Sequence, residues 1–546
     1  GERVVLLAHN AAFDGYVLAF VYKWTPDEYR CTASMCRGWW SSESASLKDM
    51  AVRLWPNDPS KRKGDELAKT KGLHELPPAV YESVSGYCTQ DNELCYGGFH
   101  ELLALGFPVT ELEIIDEVIR MSVEPILRVN SERLLNARAT ALAERTAVIE
   151  ASGVPEEVLS SNQQFVEWIR GQGLTPPTKM NPKNGQIIYS TGKNDLAFKT
   201  FMADHPELEH VWAARIATKS TIDITRAQAF INVAEATGGR MPVPLKYSGA
   251  HTHRLSGADG LNLQNMTNGS DLRLALEAPE GCMLVGADAA QIEARMLAFL
   301  ANQSDLLDVF RNNGDVYSWF ATKLFNRIIT KADKVERQVG KVCVLGLGYS
   351  MGSQRFCDMM NAGPLGFDPI DTTLEEAKKI VDFYRNQNWA IRNMWTQAGE
   401  FIEMMSNPRC EFEFGPLRFT HETMWLPNGL PIRYKNLRAT SEGWVYDGRE
   451  SISRIYGGLL TENFTQALSY DLLFWQWTQV IKPRLKEAGI WFRLAMQTHD
   501  ELTGVVKAGR AEEAKAIMQL GFKTPAPWCQ GIPLSSEAWV DSHYSK

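Results

Sequence analysis

The chain of 546 residues is 44% hydrophobic and 22% charged, a globular mix that can bury a large core and should divide into several domains. Its formal net charge of −8 does not by itself point to nucleic acid, but a basic channel can coexist with an acidic exterior, so that class stays open. No run of 18 apolar residues is present, the opening GERVVLLAHN lacks a signal-peptide layout, and nine cysteines include no CxxC pair; membrane, exported and zinc-module classes are disfavoured, and free thiols in the cytoplasm are expected.

Residues 4–8 read as a buried strand that ends in His9-Asn10; Phe13-Asp14 follows, then a helix over 16–22. Tyr87 and Asp91 stand four apart and predict one face of a helix. Residues 111–240 are helix-rich, with helical spacing over 116–121, 131–150 and 211–237. Between them residues 173–198, dense in Pro, Gly, Asn and Lys, predict a loop. His251 and His253 have ligand-like spacing, but no acid nearby completes a metal site.

In residues 281–299, GCMLVGADAAQIEARMLAF, a short apolar run leads to Asp288, and helical spacing begins after it. Asp288 is therefore expected at a strand end, with Gln291 and Glu293 in the first helical turn. Arg337, Lys341, Leu345 and Tyr349 recur every four residues and so line one helical face. Two cations, then an apolar and an aromatic residue, suit a triphosphate followed by a sugar and base. The alternative is an amphipathic helix with a solvated basic edge. Gly340, Gly346 and Gly348 argue against it, since each costs about 1 kcal/mol relative to Ala inside a helix. Something must approach that backbone closely, or the helix must bend.

Residues 491–506, WFRLAMQTHDELTGVV, predict a hairpin with His499-Asp500-Glu501 at its tip. Asp288 and Asp500 on neighbouring strand ends would give the paired carboxylates that clamp two divalent cations for displacement at phosphorus. A helix N-cap at Asp288 and a polar turn at Asp500 are the simpler alternatives.

Three motifs together, D288-AAQIEAR, R337-QVGKVCVLGLGY and H499-DE, resemble the polymerase motifs of the family A DNA polymerases, in the family's order. H253-RLSGADGLNLQN-M266 is similar to the template-primer motif, and YGGLLTENFTQALSYDLL, residues 456–473, is similar to the phage-type palm helix that bears Gln466. Asn10-Ala-Ala-Phe13-Asp14 and Tyr87-x-x-x-Asp91 resemble the second and third motifs of the family's 3′–5′ exonuclease. The first exonuclease motif, Asp-x-Glu, is absent because the chain begins too late to contain it. Proofreading is therefore expected to be missing here and present in a longer parent.

The resemblance implies a mixed α/β (α+β), multidomain right-hand polymerase preceded by a partial RNase H-like exonuclease domain. The expected boundaries are 1–110 for the exonuclease remnant, 111–240 for the thumb, 241–300 for the first part of the palm, 301–440 for the fingers and 441–546 for the rest of the palm. Asp288 and Asp500 are implied as ligands of two Mg²⁺ ions, which Mn²⁺ can replace, with Glu501, Lys341 and His499 supporting the reacting groups. The nucleotide would meet Arg337, Lys341, Leu345, Tyr349, Gln291, Tyr317 and Glu293, the last excluding a ribose 2′-OH. Arg254, Asn262, Gln264, Asn265, Arg273 and Gln466 would contact primer and template, and Lys179, Lys183, Lys193, Lys199, Lys219 and Arg226 would face duplex phosphates.

Two departures stand out: Tyr317 where relatives have His, and Leu345 where they commonly have Phe or Tyr, which predicts poor dideoxynucleotide use. The implied activity is DNA-templated addition of dNTPs to a primer 3′-end, by a monomer in the cytoplasm of a bacterial or phage-infected cell. A single-subunit RNA polymerase and a non-catalytic DNA-binding module are the alternatives.

Overall fold

The computed structural model describes residues 2–545 apart from 182–184, 194 and 364–367; Lys183, one of the lysines expected at the duplex, lies outside the described residues. Strand β1 (Val5–Ala8) pairs in parallel with β2 (Glu28–Cys31), and helix α1 (Ala11–Tyr16) lies between them in sequence. The strand is less buried than its apolar run predicts, with Val5 46% exposed, because this sheet has only two strands among the described residues. Helix begins at Ala11 rather than at residue 16. Asn10, at φ 77°, takes the left-handed conformation that Asn tolerates and turns the chain into α1, so Phe13 and Asp14 lie on the helix.

Helices α2 (Pro78–Ala104), α3 (Val109–Val123) and α4 (Ser131–Ser152) follow. The Pro- and Gly-rich stretch predicted as loop contains a small antiparallel hairpin, β3 (Thr178–Met180) and β4 (Ile187–Tyr189). The helix expected over 211–237 is two helices, α5 (Glu209–Lys219) and α6 (Ile222–Ala236). Their apolar faces serve different cores: Val211 and Trp212 pack with Phe165 and Phe198, whereas Phe230 and Ile231 join the main cluster, so the chain must break at Ser220 and Thr221.

The central element is β5 (Cys282–Ala289), which runs into α7 (Ile292–Ala301). Helices α8 (Val316–Phe325) and α9 (Lys334–Gly346) pack against each other, and α10 (Gly457–Gln476) precedes β6 (Phe492–Thr498), β7 (Glu501–Lys507) and β8 (Ser536–Asp541). These four strands form one antiparallel sheet in the order β6-β7-β5-β8. Leu284, Val285 and Ala287 are fully buried, as an inner strand covered on both faces requires. Gly286 is glycine for a packing reason, since a Cβ there would stand 2.3 Å from the Trp539 ring of β8.

One core joins the N-terminal helices to this sheet, and a second joins α7, α8 and α9 to the helices and strands of residues 374–455. Helix α10 belongs to both, with Tyr470, Leu473 and Phe474 in the first and Leu460, Phe464 and Leu468 in the second. Among the described residues no helix is long and apolar enough to cross a membrane.

Candidate active site

The tip of the β6–β7 hairpin is the two-residue turn His499-Asp500, with His499 at φ 52°. In the register of the sheet Glu501 is opposite Asp288, and the Ala289 amide donates to the Asp500 carbonyl at 3.0 Å. The two aspartates are thus brought together at one end of the sheet. Asp288 lies within β5, and the position that caps α7 is Gln291 at φ 55°, so the N-cap alternative for Asp288 does not hold. Gln291 precedes the first turn rather than standing in it.

Burial pushes the Asp500 carboxyl up, against the Arg254 and His499 charges that lower it. Such a carboxylate is relieved by a cation, and two carboxylates with main-chain carbonyls at a strand end make an all-oxygen donor set that fits a hard divalent ion such as Mg²⁺.

Arg254 bridges this end to the helix beside it. Its Nη2 donates to Glu293 Oε1 in a short bond and lies 3.8 Å from Asp500 Oδ1. Tyr349 donates to the other Glu293 oxygen at 3.4 Å, and burial pushes the Tyr349 hydroxyl far up, so it stays a donor. The Arg337, Lys341 and Leu345 positions lie along α9, and Tyr349 ends the 3-10 turn Leu347–Tyr349 that continues it. Arg337 donates Nε and Nη2 to Asp315 at 2.6 and 3.3 Å, while Asp315 caps α8 through the Tyr317 amide. The guanidinium lies 5.3 Å from the Tyr317 ring, and that ring's hydroxyl is hydrogen-bonded to Gln291. Burial, then the Arg337 charge, lowers the Lys341 ammonium, a cost that a bound anion would reverse.

Two of the three glycines have a close neighbour, as the sequence required. A Cβ on Gly340 would lie 2.2 Å from the Tyr317 carbonyl and one on Gly348 would lie 2.8 Å from Leu297, whereas Gly346 has only ordinary contacts and marks the change of helix type.

A second group of polar side chains links the hairpin tip to residues 262–265. Gln264 donates to Gln497 at 3.0 Å, and Gln497, 3% exposed, donates to the His499 carbonyl in a short bond. Asn262 caps the turn that carries Gln264 and the exposed Asn265, whose carbonyl accepts from Arg226. Gln466 on α10 accepts from Thr252 at 3.3 Å. Sequence reasoning missed Gln497, although its place near the end of β6, two residues before the His499-Asp500 turn, puts it beside the site.

Several expected phosphate ligands are already engaged. Lys179 pairs with Asp195 at 2.6 Å, Lys193 donates to Ser220 at 3.2 Å, Lys199 donates to the Ala362 carbonyl at 2.6 Å, and the exposed Lys219 donates to the Ser160 carbonyl. His251 and His253 are packing residues: His251 stacks on Tyr446, His253 bonds Ser248 and the Pro431 carbonyl, and burial lowers them to about 4 and about 3.

Asp14 on α1 and Tyr87 and Asp91 on α2 form a separate group. Both carboxylates, after burial, help to push the Cys95 thiol up to about 11. Lys63 donates to the Tyr87 hydroxyl and to Asp91 Oδ2, so an ammonium already neutralises that carboxylate. Among the described residues no cluster of three or more His, Cys, Asp or Glu side chains is placed to hold a metal ion.

Comparison with known proteins agrees with this geometry. The family model described as DNA polymerase family A matches residues 129–407. The chain is 24% identical to the DNA polymerase of Bacillus phage SP02 over 618 aligned residues, covering 100% of this chain and 90% of the phage protein. It is 27% identical to the thermostable DNA polymerase I of Thermus filiformis, covering 72% of this chain and 42% of that enzyme. It is 28% identical to DNA polymerase I of Synechocystis sp., covering 74% and 38%. The chain thus spans most of the phage relative's length and about two fifths of the bacterial enzymes. Among solved structures, the POL domain of Pol1 from M. smegmatis, in complex with DNA primer-template and dNTP, shares the fold with a TM-score of 0.70 at 20% identity, covering 99% of this chain and 86% of that one. Because the family model matches more than half of its length, the chain belongs to DNA polymerase family A and is a DNA-directed DNA polymerase.

Proposed function

We propose that this chain extends a primer by nucleotidyl transfer at the Asp288–Asp500 end of the β5–β7 sheet. The observation that carries the reading is that the fold brings these two aspartates, far apart in sequence, to adjoining strand ends, beside a helix presenting Arg337 and Lys341. Asp288 and Asp500 would hold two Mg²⁺ ions, in keeping with the metal dependence of the family. When bound, the ions lower the pKa of the primer 3′-hydroxyl and stabilise the leaving pyrophosphate.

The protein's own groups supply the rest. Asp315 fixes the Arg337 guanidinium through two of its nitrogens, and Nη1, which has no hydrogen bond among the described residues, remains for a phosphate oxygen. Lys341, whose ammonium is disfavoured by burial and by the Arg337 charge, would be stabilised by the same triphosphate. Glu293, held by Arg254 and Tyr349, walls off the sugar and excludes a 2′-hydroxyl. Gln264, Asn262, Asn265, Arg254 and Gln466 offer donors to the minor groove, where acceptors differ little among base pairs, so they test pair shape rather than sequence. Arg273 would hold a primer phosphate, His499 would support the primer end, and the thumb lysines would exchange their internal partners for duplex phosphates. The Asp14–Tyr87–Asp91 group, with Lys63 on Asp91, serves structure rather than 3′ trimming.

The test is extension of a labelled primer-template with Mg²⁺ and dNTPs, alongside Asp500→Ala, ribonucleotides, and a reaction lacking nucleotides. Extension with dNTPs only, lost in Asp500→Ala with duplex binding retained, and no shortening without nucleotides, is the expected result. Extension that survives Asp500→Ala would place the chemistry elsewhere, and Mg²⁺-dependent shortening would overturn the structural role of the N-terminal group.

A further inference from the structure

The C-terminal tail after β8 is fixed by its main chain to the segment that leads into β5, and from there the Tyr544 side chain reaches Glu501 at the active-site end of the sheet. The Ala278 amide donates to the Ser542 carbonyl and the Tyr544 amide to the Leu276 carbonyl, both at 2.8 Å. This seats Tyr544, fully buried, between two groups of the site. Its hydroxyl donates to Glu501 Oε1 at 2.9 Å, and the face of its ring lies 3.8 Å from the Arg273 guanidinium carbon.

Glu501 adjoins Asp500 in sequence and faces Asp288 across the sheet, yet it is only 4% exposed and its oxygens are already occupied. Oε1 accepts from Tyr544 and from Thr503 at 3.0 Å, and Oε2 accepts from Trp539 at 3.3 Å. A carboxylate so engaged is placed to orient the turn beside it rather than to bind an ion. Burial, then the Glu501 charge, pushes the Tyr544 hydroxyl far up, so it remains a donor at any working pH.

Arg273 is fixed from two directions. Nη1 donates to Asn268 at 2.5 Å and the plane of the guanidinium rests on Tyr544, while Nη2 and the buried Nε have no hydrogen bond among the described residues. A guanidinium stacked on a ring and tied at one nitrogen keeps its remaining donors in fixed directions at little entropic cost.

We propose that Tyr544 is a positioning residue for nucleotidyl transfer, its hydroxyl orienting Glu501 beside the Asp288–Asp500 pair and its ring orienting Arg273 toward a primer phosphate. The proposal rests on the polymerase-site reading above and adds to it a residue that acts on two groups through two different parts of one side chain. Groups that orient a ligand or its neighbour commonly change activity by about 10- to 100-fold when removed.

The two functions separate by substitution. Tyr544→Phe keeps the ring and loses the hydroxyl; Tyr544→Leu loses both. Three quantities are measured for each: melting temperature, primer-template Kd in EDTA by fluorescence anisotropy, and single-turnover extension rate with Mg²⁺ and dNTPs. Tyr544→Phe should keep the parent Kd within about twofold and lower the extension rate roughly tenfold. Tyr544→Leu should show the same rate loss and also weaken Kd roughly threefold, from loss of the ring under Arg273. A parent-like rate in Tyr544→Phe, or a Kd weakened equally in both variants, overturns the proposal. Failure of the parent itself to extend a primer overturns the polymerase-site reading, and the role of Tyr544 with it.

Discussion

Leu345 is the residue at which the sequence resemblance predicts the sharpest functional departure. It lies on α9 between Lys341 and Tyr349, is half-buried and packs against the second core, and on the proposed polymerase reading it would meet the incoming sugar and base. Leucine supplies apolar contact there, but it can neither stack on a base nor offer a hydroxyl in place of a missing 3′-OH. A ring–ring contact is worth about 0.5–1.5 kcal/mol, and a recovered hydrogen bond adds a comparable amount. Leu345→Tyr should therefore raise incorporation of dideoxynucleotides relative to deoxynucleotides by roughly tenfold or more and speed normal extension. The check is the ratio of kcat/KM values for each nucleotide; an unchanged ratio would mean that residue 345 does not meet the sugar.

At the scale of elements, the packing of α8 on α9 governs whether Arg337 and Lys341 point at the same place. That contact depends on Gly340, whose missing Cβ leaves room for the Tyr317 carbonyl; a methyl group would meet that oxygen at 2.2 Å and Ala321 at 3.1 Å. Backbone cannot move aside as a flexible side chain can, so Gly340→Ala should cost about 1–3 kcal/mol despite the better helix propensity of alanine. The same shift would pull Asp315 from Arg337, so KM for dNTPs should rise while primer-template Kd stays unchanged. Calorimetry and steady-state kinetics test the two parts; a more stable variant would show that the helices can separate freely. This helix also shows what could be read in advance. Its four-residue face and its unusual glycines were visible in the sequence, as was the hairpin that lifts Asp500, because each is a local pattern. Other features arise only from distant packing: the break at Ser220, which divides one periodic run between two cores, the start of α1 at Ala11, and the small hairpin within the Pro- and Gly-rich stretch. The Arg254–Glu293 pair and the Tyr544–Glu501 contact likewise join segments with no sequence relation, and no periodicity announces them.

Across the whole molecule, Glu111 is where separate parts of the chain are tied together. It opens α3 and is 3% exposed, accepting from the Tyr247 hydroxyl at 2.6 Å and from Asn428 at 3.0 Å. The Asn428 amide in turn donates to Asp471 of α10, the helix shared by both cores. Burial raises the Glu111 carboxyl from 4.5 to about 7, although its two hydrogen bonds pull the other way. Asp471 is raised well above its ordinary value by burial and then by Glu111, and the hydroxyls of Tyr247 and Tyr470 face the same pair. The unfolded chain releases the Glu111 proton near 4.5 and the folded chain near 7, so between these values the folded state holds more protons. Stability must therefore fall as pH rises through that window and level off above it, by an amount on the order of 3 kcal/mol from Glu111 alone. Glu111→Gln has no proton to lose and keeps an oxygen to accept and an amide to donate, so its melting temperature should decline less than the parent's between pH 5 and 7.5. Asp471 remains titratable in that variant, which leaves part of the slope in place. Parallel melting curves for parent and variant across the range would show that Glu111 is ionised in the folded state throughout, and that the junction of the two cores carries a compensated charge.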